Sequence, residues 1–105
     1  MWESVVGITL EQRDESSVVC LEGVIDISSA AELKTTLLGA LKSGKAMRLR
    51  LEANADLDVT ATQLLWAAER EAKASGVAFT LAGQAPETVS ATLKDAGFER
   101  FPIPV

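Results

Sequence analysis

The chain has 105 residues, 48% of them hydrophobic, with 15 acidic and 10 basic side chains for a net charge of −5. That length suits one domain, residues 1–105, and that apolar content is enough for a core and too high for a disordered chain. The acidic balance and the absence of a Lys/Arg cluster exclude nucleic acid as an expected partner, because displacing counterions from phosphates takes a basic stripe.

In chain order, Val5–Gln12 alternates weakly and Ser17–Glu22 is rich in valine, so both are predicted strands, joined through the charged turn Arg13-Asp14-Glu15. Asp26-Ile27-Ser28-Ser29 opens a helix. Ser29 and Glu32 have the spacing of a capping box, in which each side chain satisfies a free backbone N–H at the helix start. Leu33, Leu37, Leu38 and Leu41 follow at helical spacing as one buried stripe, and Gly44 ends it. Met47, Leu49 and Leu51 alternate with Arg48 and Arg50, a strand with one apolar and one solvated face.

A second helix runs from about Val59 to Ser75 and stops at Gly76. Val77, Phe79 and Leu81 alternate as a further strand. Pro86 suits the first turn of a third helix, with Val89 and Leu93 inward and Gly97 as its stop. Phe98, Phe101, Ile103 and two prolines form an apolar tail. The order β-β-α-β-α-β-α predicts an α/β fold, a single domain with a mixed four- to five-stranded sheet and helices packed mainly on one face.

The residue types restrict chemistry. Without histidine there is no Ser-His-Asp or Cys-His nucleophile, and the usual zinc sets lose their commonest ligand. Cys20 lies in an apolar run and is read as core filler. No paired carboxylates stand in a catalytic context, and Gly83-Gln84-Ala85-Pro86 is a turn rather than a phosphate-cradling loop. No catalytic residue, metal or cofactor is assigned, and the chain is expected not to be an enzyme. MWESVVGITL lacks the basic segment of a signal peptide, and no apolar run approaches the ~20 residues that span a bilayer. A cytoplasmic protein without direct membrane insertion is expected.

On a helical wheel of the second helix, Ala61, Leu64, Leu65, Ala68 and Ala72 fall on one side, the predicted buried face. Val59, Thr62, Trp66, Arg70 and Lys73 fall opposite. Trp66 there has two readings: it leans half-buried over a neighbouring loop or the tail, or it forms with Val59 and Thr62 an apolar docking patch for a partner protein, tryptophan being enriched among interface anchors. Asp58 is read as the N-cap of this helix. Glu69-Arg70-Glu71 and the basic Lys42, Lys45, Arg48 and Arg50 are read as solvated surface.

Three strings, in this order and spacing, resemble the STAS family: Leu21-Glu22-Gly23-Val24-Ile25-Asp26, Leu57-Asp58-Val59-Thr60-Ala61-Thr62-Gln63-Leu64-Leu65, and the closing run from Glu71-Ala72-Lys73-Ala74-Ser75-Gly76 to Leu93-Lys94-Asp95-Ala96-Gly97-Phe98. The resemblance implies a partner-binding module of the anti-sigma-factor-antagonist type. In such proteins a Ser or Thr directly after the aspartate of the second string is phosphorylated by a kinase-type anti-sigma factor. Here Val59 occupies that position, and Ala61 and Thr62 replace the motif's glycine and leucine. The nearest hydroxyl is Thr60, the phosphorylation candidate, about 100° further round the helix.

The resemblance places partner contacts at the loop around Asp26 and at the start of the second helix, Asp58, Val59 and Thr60, to which the wheel adds Thr62 and Trp66. The implied partner is a kinase-like anti-sigma factor. The alternatives are an accessory subunit bound to the ATPase of a lipid-transport ABC complex, and a chemotaxis or stress-signalling scaffold. The sequence leaves the oligomeric state open.

Overall fold

The computed structural model describes residues 7–83, 85–95 and 103. Two strands, β1 (Gly7–Gln12) and β2 (Ser16–Glu22), form an antiparallel hairpin. After it come β3 (Val24–Ile25), a 3-10 turn (Ile27–Ser29), α1 (Ala30–Lys42), β4 (Ala46–Leu51), β5 (Asp56–Leu57), α2 (Val59–Ala74), β6 (Phe79–Leu81) and α3 (Glu87–Asp95). The main sheet has the order β1-β2-β4-β6, with β2, β4 and β6 parallel. Its path from β2 to β4 to β6 moves in one direction, so right-handed crossovers put α1 and α2 on the same face.

Registered pairs explain the two sheet faces. One row across the sheet is Leu10, Val19, Leu49 and Leu81, and its neighbour joins Ile8, Leu21 and Leu51. These side chains meet Leu33 and Leu37 of α1 and Leu65 of α2 in the core. The alternate rows carry Glu11, Val18, Arg48 and Thr80, or Thr9, Cys20 and Arg50, and leave the other face polar around a buried Val18 and Cys20. The alternation of Met47, Leu49 and Leu51 with arginines is therefore the sheet's two-sidedness written in one strand.

The expected mixed sheet is present with four strands, and beside it lies a two-stranded parallel ladder, β3 with β5, that the sequence did not indicate. Each strand of that ladder is two residues long, too short to show a period. Val77 also lies outside β6. Its N–H bonds to Ala72 O at 2.8 Å while Gly76 N–H reaches Lys73 O at 3.2 Å, which closes α2 in a Schellman motif. Gly76, at φ +74°, takes the left-handed conformation this requires. Gly97, Phe98 and Phe101 lie outside the described residues, as does Val5, while Ile103 is buried.

The capping box does not form. Ile27–Ser29 take a 3-10 turn, which leaves Ser29 at φ −101°, ψ 2° rather than extended, and its side chain makes no cap bond. Asp26 caps that turn instead.

Candidate functional site

The short β3–β5 ladder brings two aspartates to one end of the domain. Ile25 and Leu57 are its last registered pair, and the residue after each is Asp26 or Asp58. Asp58 N–H donates to Ile25 O at 3.1 Å, which fixes the two departures from the ladder against each other. The two chains then turn into helical structure side by side.

Both carboxylates are used locally. Asp58 Oδ1 accepts Ala61 N–H at 2.8 Å, the N-cap bond of α2. Asp26 Oδ1 accepts Ser28 N–H at 3.0 Å and the Ser28 hydroxyl at 2.6 Å. The Ser28 hydroxyl, and after it the Ser28 backbone N–H, hold the Asp26 carboxyl below the ordinary aspartate range. Each carboxylate fixes the geometry of the turn it caps.

The side chains that leave this end outward are apolar. Ile27 is 73% exposed and Val24 55%. Val59, the first residue of α2, is 44% exposed, and Trp66, two turns later on the same stripe, is 47% exposed. The Arg70 guanidinium lies 5.7 Å from the centre of the Trp66 ring, a cation–π contact that holds the indole along the helix surface. Of the five exposed large hydrophobics among the described residues, these four belong to the β3 turn or the outer stripe of α2, and the fifth is Leu38 on α1.

Thr62 does not belong to this surface. It is 0% exposed, and its hydroxyl donates to Asp58 O at 2.9 Å, the same carbonyl that accepts its backbone N–H. The wheel set it outward by angle alone, with Val59 and Trp66, although it stands at the edge of that arc. A bond to the carbonyl four residues back satisfies that hydroxyl inside the helix, so threonine is buried without needing water. Thr60, at the second position of α2, is half-buried, and Leu64, expected in the buried face, is also half-buried.

The sequence reading included Asp26, Asp58, Val59 and Trp66 but missed Val24 and Ile27. Period two offered a signal: Ile25 points into the core, so its neighbour Val24 faces away. It also missed Asp56, whose Oδ1 accepts its neighbour's Leu57 N–H at 2.9 Å and the Thr92 hydroxyl at 3.1 Å. The Thr88 hydroxyl donates to Ala55 O at 3.1 Å, so α3 is tied to β5 and braces the ladder from behind. No group of three or more His, Cys, Asp or Glu is placed to hold a metal among the described residues, and none of their helices is long and apolar enough to cross a membrane.

Comparison with known proteins places this geometry. The family described as "Mlab, STAS domain" matches residues 8–104. An anti-sigma factor antagonist from Mycobacterium paratuberculosis superposes with a TM-score of 0.68 at 19% identity, over 93% of this chain and 86% of that one. The Bacillus cell fate determinant SpoIIAA in its phosphorylated form gives 0.64 at 18% identity, over 90% and 87%. A structure of Mglu gives 0.62 at 19% identity over 72% of this chain, which spans only 19% of that longer one. At these identities the structures share a fold. No curated protein matches the sequence.

Proposed function

The chain belongs to the STAS family, and from that premise we propose that it is a non-enzymatic protein–protein interaction module of the anti-sigma-factor-antagonist type. Its docking surface is formed by Ile27, Val24, Val59 and Trp66 around the Asp26 and Asp58 caps. The observation that carries this reading is the gathering of four exposed large hydrophobics at one end of the ladder and along one stripe of α2. Solvated helix surfaces do not ordinarily group such side chains, and tryptophan beside aliphatic neighbours is the usual anchor of an interface.

The partner on this reading is a kinase-type anti-sigma factor. Val59 has no hydroxyl to receive a phosphate, so control at that position is replaced by constant apolar contact. Thr60 is then the modification candidate. A phosphate there would sit in the first turn of α2, where the helix dipole tolerates the charge and the apolar contact does not.

One observation favours a second reading, a fixed accessory subunit on the ATPase of a lipid-transport complex. Val59 is itself part of the exposed surface, as suits a contact that is never switched off.

The test is affinity capture from the source cell with tagged wild type and tagged Trp66→Ala, reading both captured proteins and bait by mass spectrometry. Loss of an interface anchor is expected to weaken binding by about 1 kcal/mol or more, which is several-fold in recovery. A kinase-like ATPase recovered by wild type alone supports the antagonist reading, with a Thr60 phosphate identifying its switch. Transport-complex proteins on an unmodified bait support the second reading. Equal recovery by the two baits refutes the docking surface.

A further inference from the structure

α1 and α2 also meet along a second surface, about 100° or more around α2 from the Val59–Trp66 stripe. Between them lies an apolar groove of about 260 Å³, lined from α1 by positions i, i+3, i+4 and i+7 starting at Lys34, and from α2 by the same pattern starting at Leu64. Leu38 stands 44% exposed in its wall, facing the small side chains of Ala67 and Ala68. The groove ends are charged. Lys34 is the first lining residue of α1 and Glu71 the last of α2.

The placement of these two charges follows from topology. β2, β4 and β6 are parallel, so α1 and α2, which cross over between them, run parallel to each other. Lys34 is then level with Leu64, and Leu41 with Glu71. Seven residues of helix rise about 10 Å, and packed helices lie about 8–10 Å apart. The four residues mark the corners of a near-square, with Lys34 and Glu71 on one diagonal and Leu41 and Leu64 on the other. Among the described residues neither Lys34 nor Glu71 makes an ion pair.

We propose that this face is the interface of a homodimer, with a second copy of the chain as its occupant. A two-fold axis lying in the face along the Leu41–Leu64 diagonal sets Lys34 of each copy on Glu71 of the other. The same rotation lays Leu41 and Leu64 against their own counterparts and crosses the helix pairs at near right angles. A two-fold axis along either helix direction, or across it, sets Lys34 against leucine positions instead and leaves both charges without partners. The face is thus charge-complementary to itself in one arrangement, although the whole chain carries a net charge of −5. Two helices about 10 Å wide, the shorter of them about 20 Å long, offer roughly 400 Å² per copy in plan, about half of what a standard stable interface buries per partner, so the dimer is weak and reversible. It leaves the Val59–Trp66 stripe outside the groove and does not depend on the function proposed for that stripe.

Sedimentation of the full chain from tens of micromolar to about 1 mM tests this, over the range where an interface of that size associates. Wild type is expected to show a concentration-dependent dimer. Leu38→Glu should abolish it. Lys34→Glu and Glu71→Lys should each weaken it by roughly tenfold, since symmetry makes each substitution break both pairs and oppose like charges. The double variant K34E/E71K should recover most of the loss. Ile27→Ser, on the other surface, should leave the dimer unchanged. All four positions are exposed, and thermal melts check that the variants fold. A monomer up to 1 mM, a dimer indifferent to Leu38→Glu, or a double variant no better than the single ones overturns the proposal.

Discussion

Replacing Asp58 with alanine removes one hydrogen bond and one charge from the point where β5, β3 and α2 meet. The lost bond is the N-cap contact from Ala61 N–H at 2.8 Å. Removing such a cap costs about 0.5–2 kcal/mol, and the carboxylate's interaction with the helix N-terminus adds about 0.3–1 kcal/mol. The backbone of Asp58 is unaffected: its N–H still reaches Ile25 O, and its carbonyl still accepts both the N–H and the hydroxyl of Thr62. The damage is therefore confined to the cap, and for a half-buried site a loss of about 1.5–2 kcal/mol follows. In a domain of this size that lowers Tm by about 10 °C. Urea denaturation should show a lower midpoint with an unchanged slope. Asp58→Asn keeps the acceptor and should recover most of the difference. A fall of less than about 2 °C for the alanine variant, or an asparagine variant as unstable as the alanine one, refutes the reasoning. The second outcome would make charge, not the cap bond, the stabilising element.

Three further outcomes follow from groups already described. Burial pushes the Cys20 thiol up, so at pH 7.5 it should react with a disulfide reagent at least about tenfold more slowly than a free thiol, and urea should restore the fast rate. Thr62→Val should cost less than about 1 kcal/mol, because the hydroxyl's acceptor keeps the Thr62 N–H. Thr62→Glu, which forces a carboxylate into a site with no exposure, should leave the domain largely unfolded by circular dichroism. For Asp26, the folded-state pKa is held below its unfolded value, so its stabilising contribution is fully present above about pH 4 and is lost as pH falls through the depressed value. Ser28→Ala removes the strongest of the bonds responsible. An NMR titration should show the Asp26 carboxyl moving back up, and the Tm gap between wild type and variant should narrow as pH falls through the depressed value.

The fold was legible where a period was long enough to read. Met47, Leu49 and Leu51 against two arginines identify a strand and both of its faces within five residues. Leu33 and Leu37 of α1 and the alanine-and-leucine face of α2 set both helices on the core, whereas Leu38, expected in the buried stripe, lies at its edge and is exposed, and Leu41 is half-buried. The β3–β5 ladder was not legible, because two residues per strand carry no periodicity and the pairing depends on partners 32 residues apart. The failed capping box has the same origin. Ser29 and Glu32 have the right spacing, but Asp26 takes over the preceding turn, and a local motif holds only where the backbone before it is extended.

The candidate site was half legible for a related reason. Asp58 announces itself as a cap from the sequence alone, since a cap is a contact over three residues. Whether a side chain on the edge of a helical arc faces water is decided by what packs across from it, which a wheel does not contain. Trp66 and Thr62 stand only about 40° apart on the wheel, yet one is 47% exposed and the other is sealed. The difference is chemical: Thr62 can satisfy its polar atom on its own helix, whereas an indole of Trp66's size needs a cavity that the first turns of α2 do not supply. The chain therefore leaves its largest α2 side chain outside, supported by Arg70, on the stripe that begins at Val59. An exposed apolar stripe of that kind is a liability for an isolated domain, and its retention on a helix that is otherwise well capped at both ends is best accounted for by a surface that spends its working life covered.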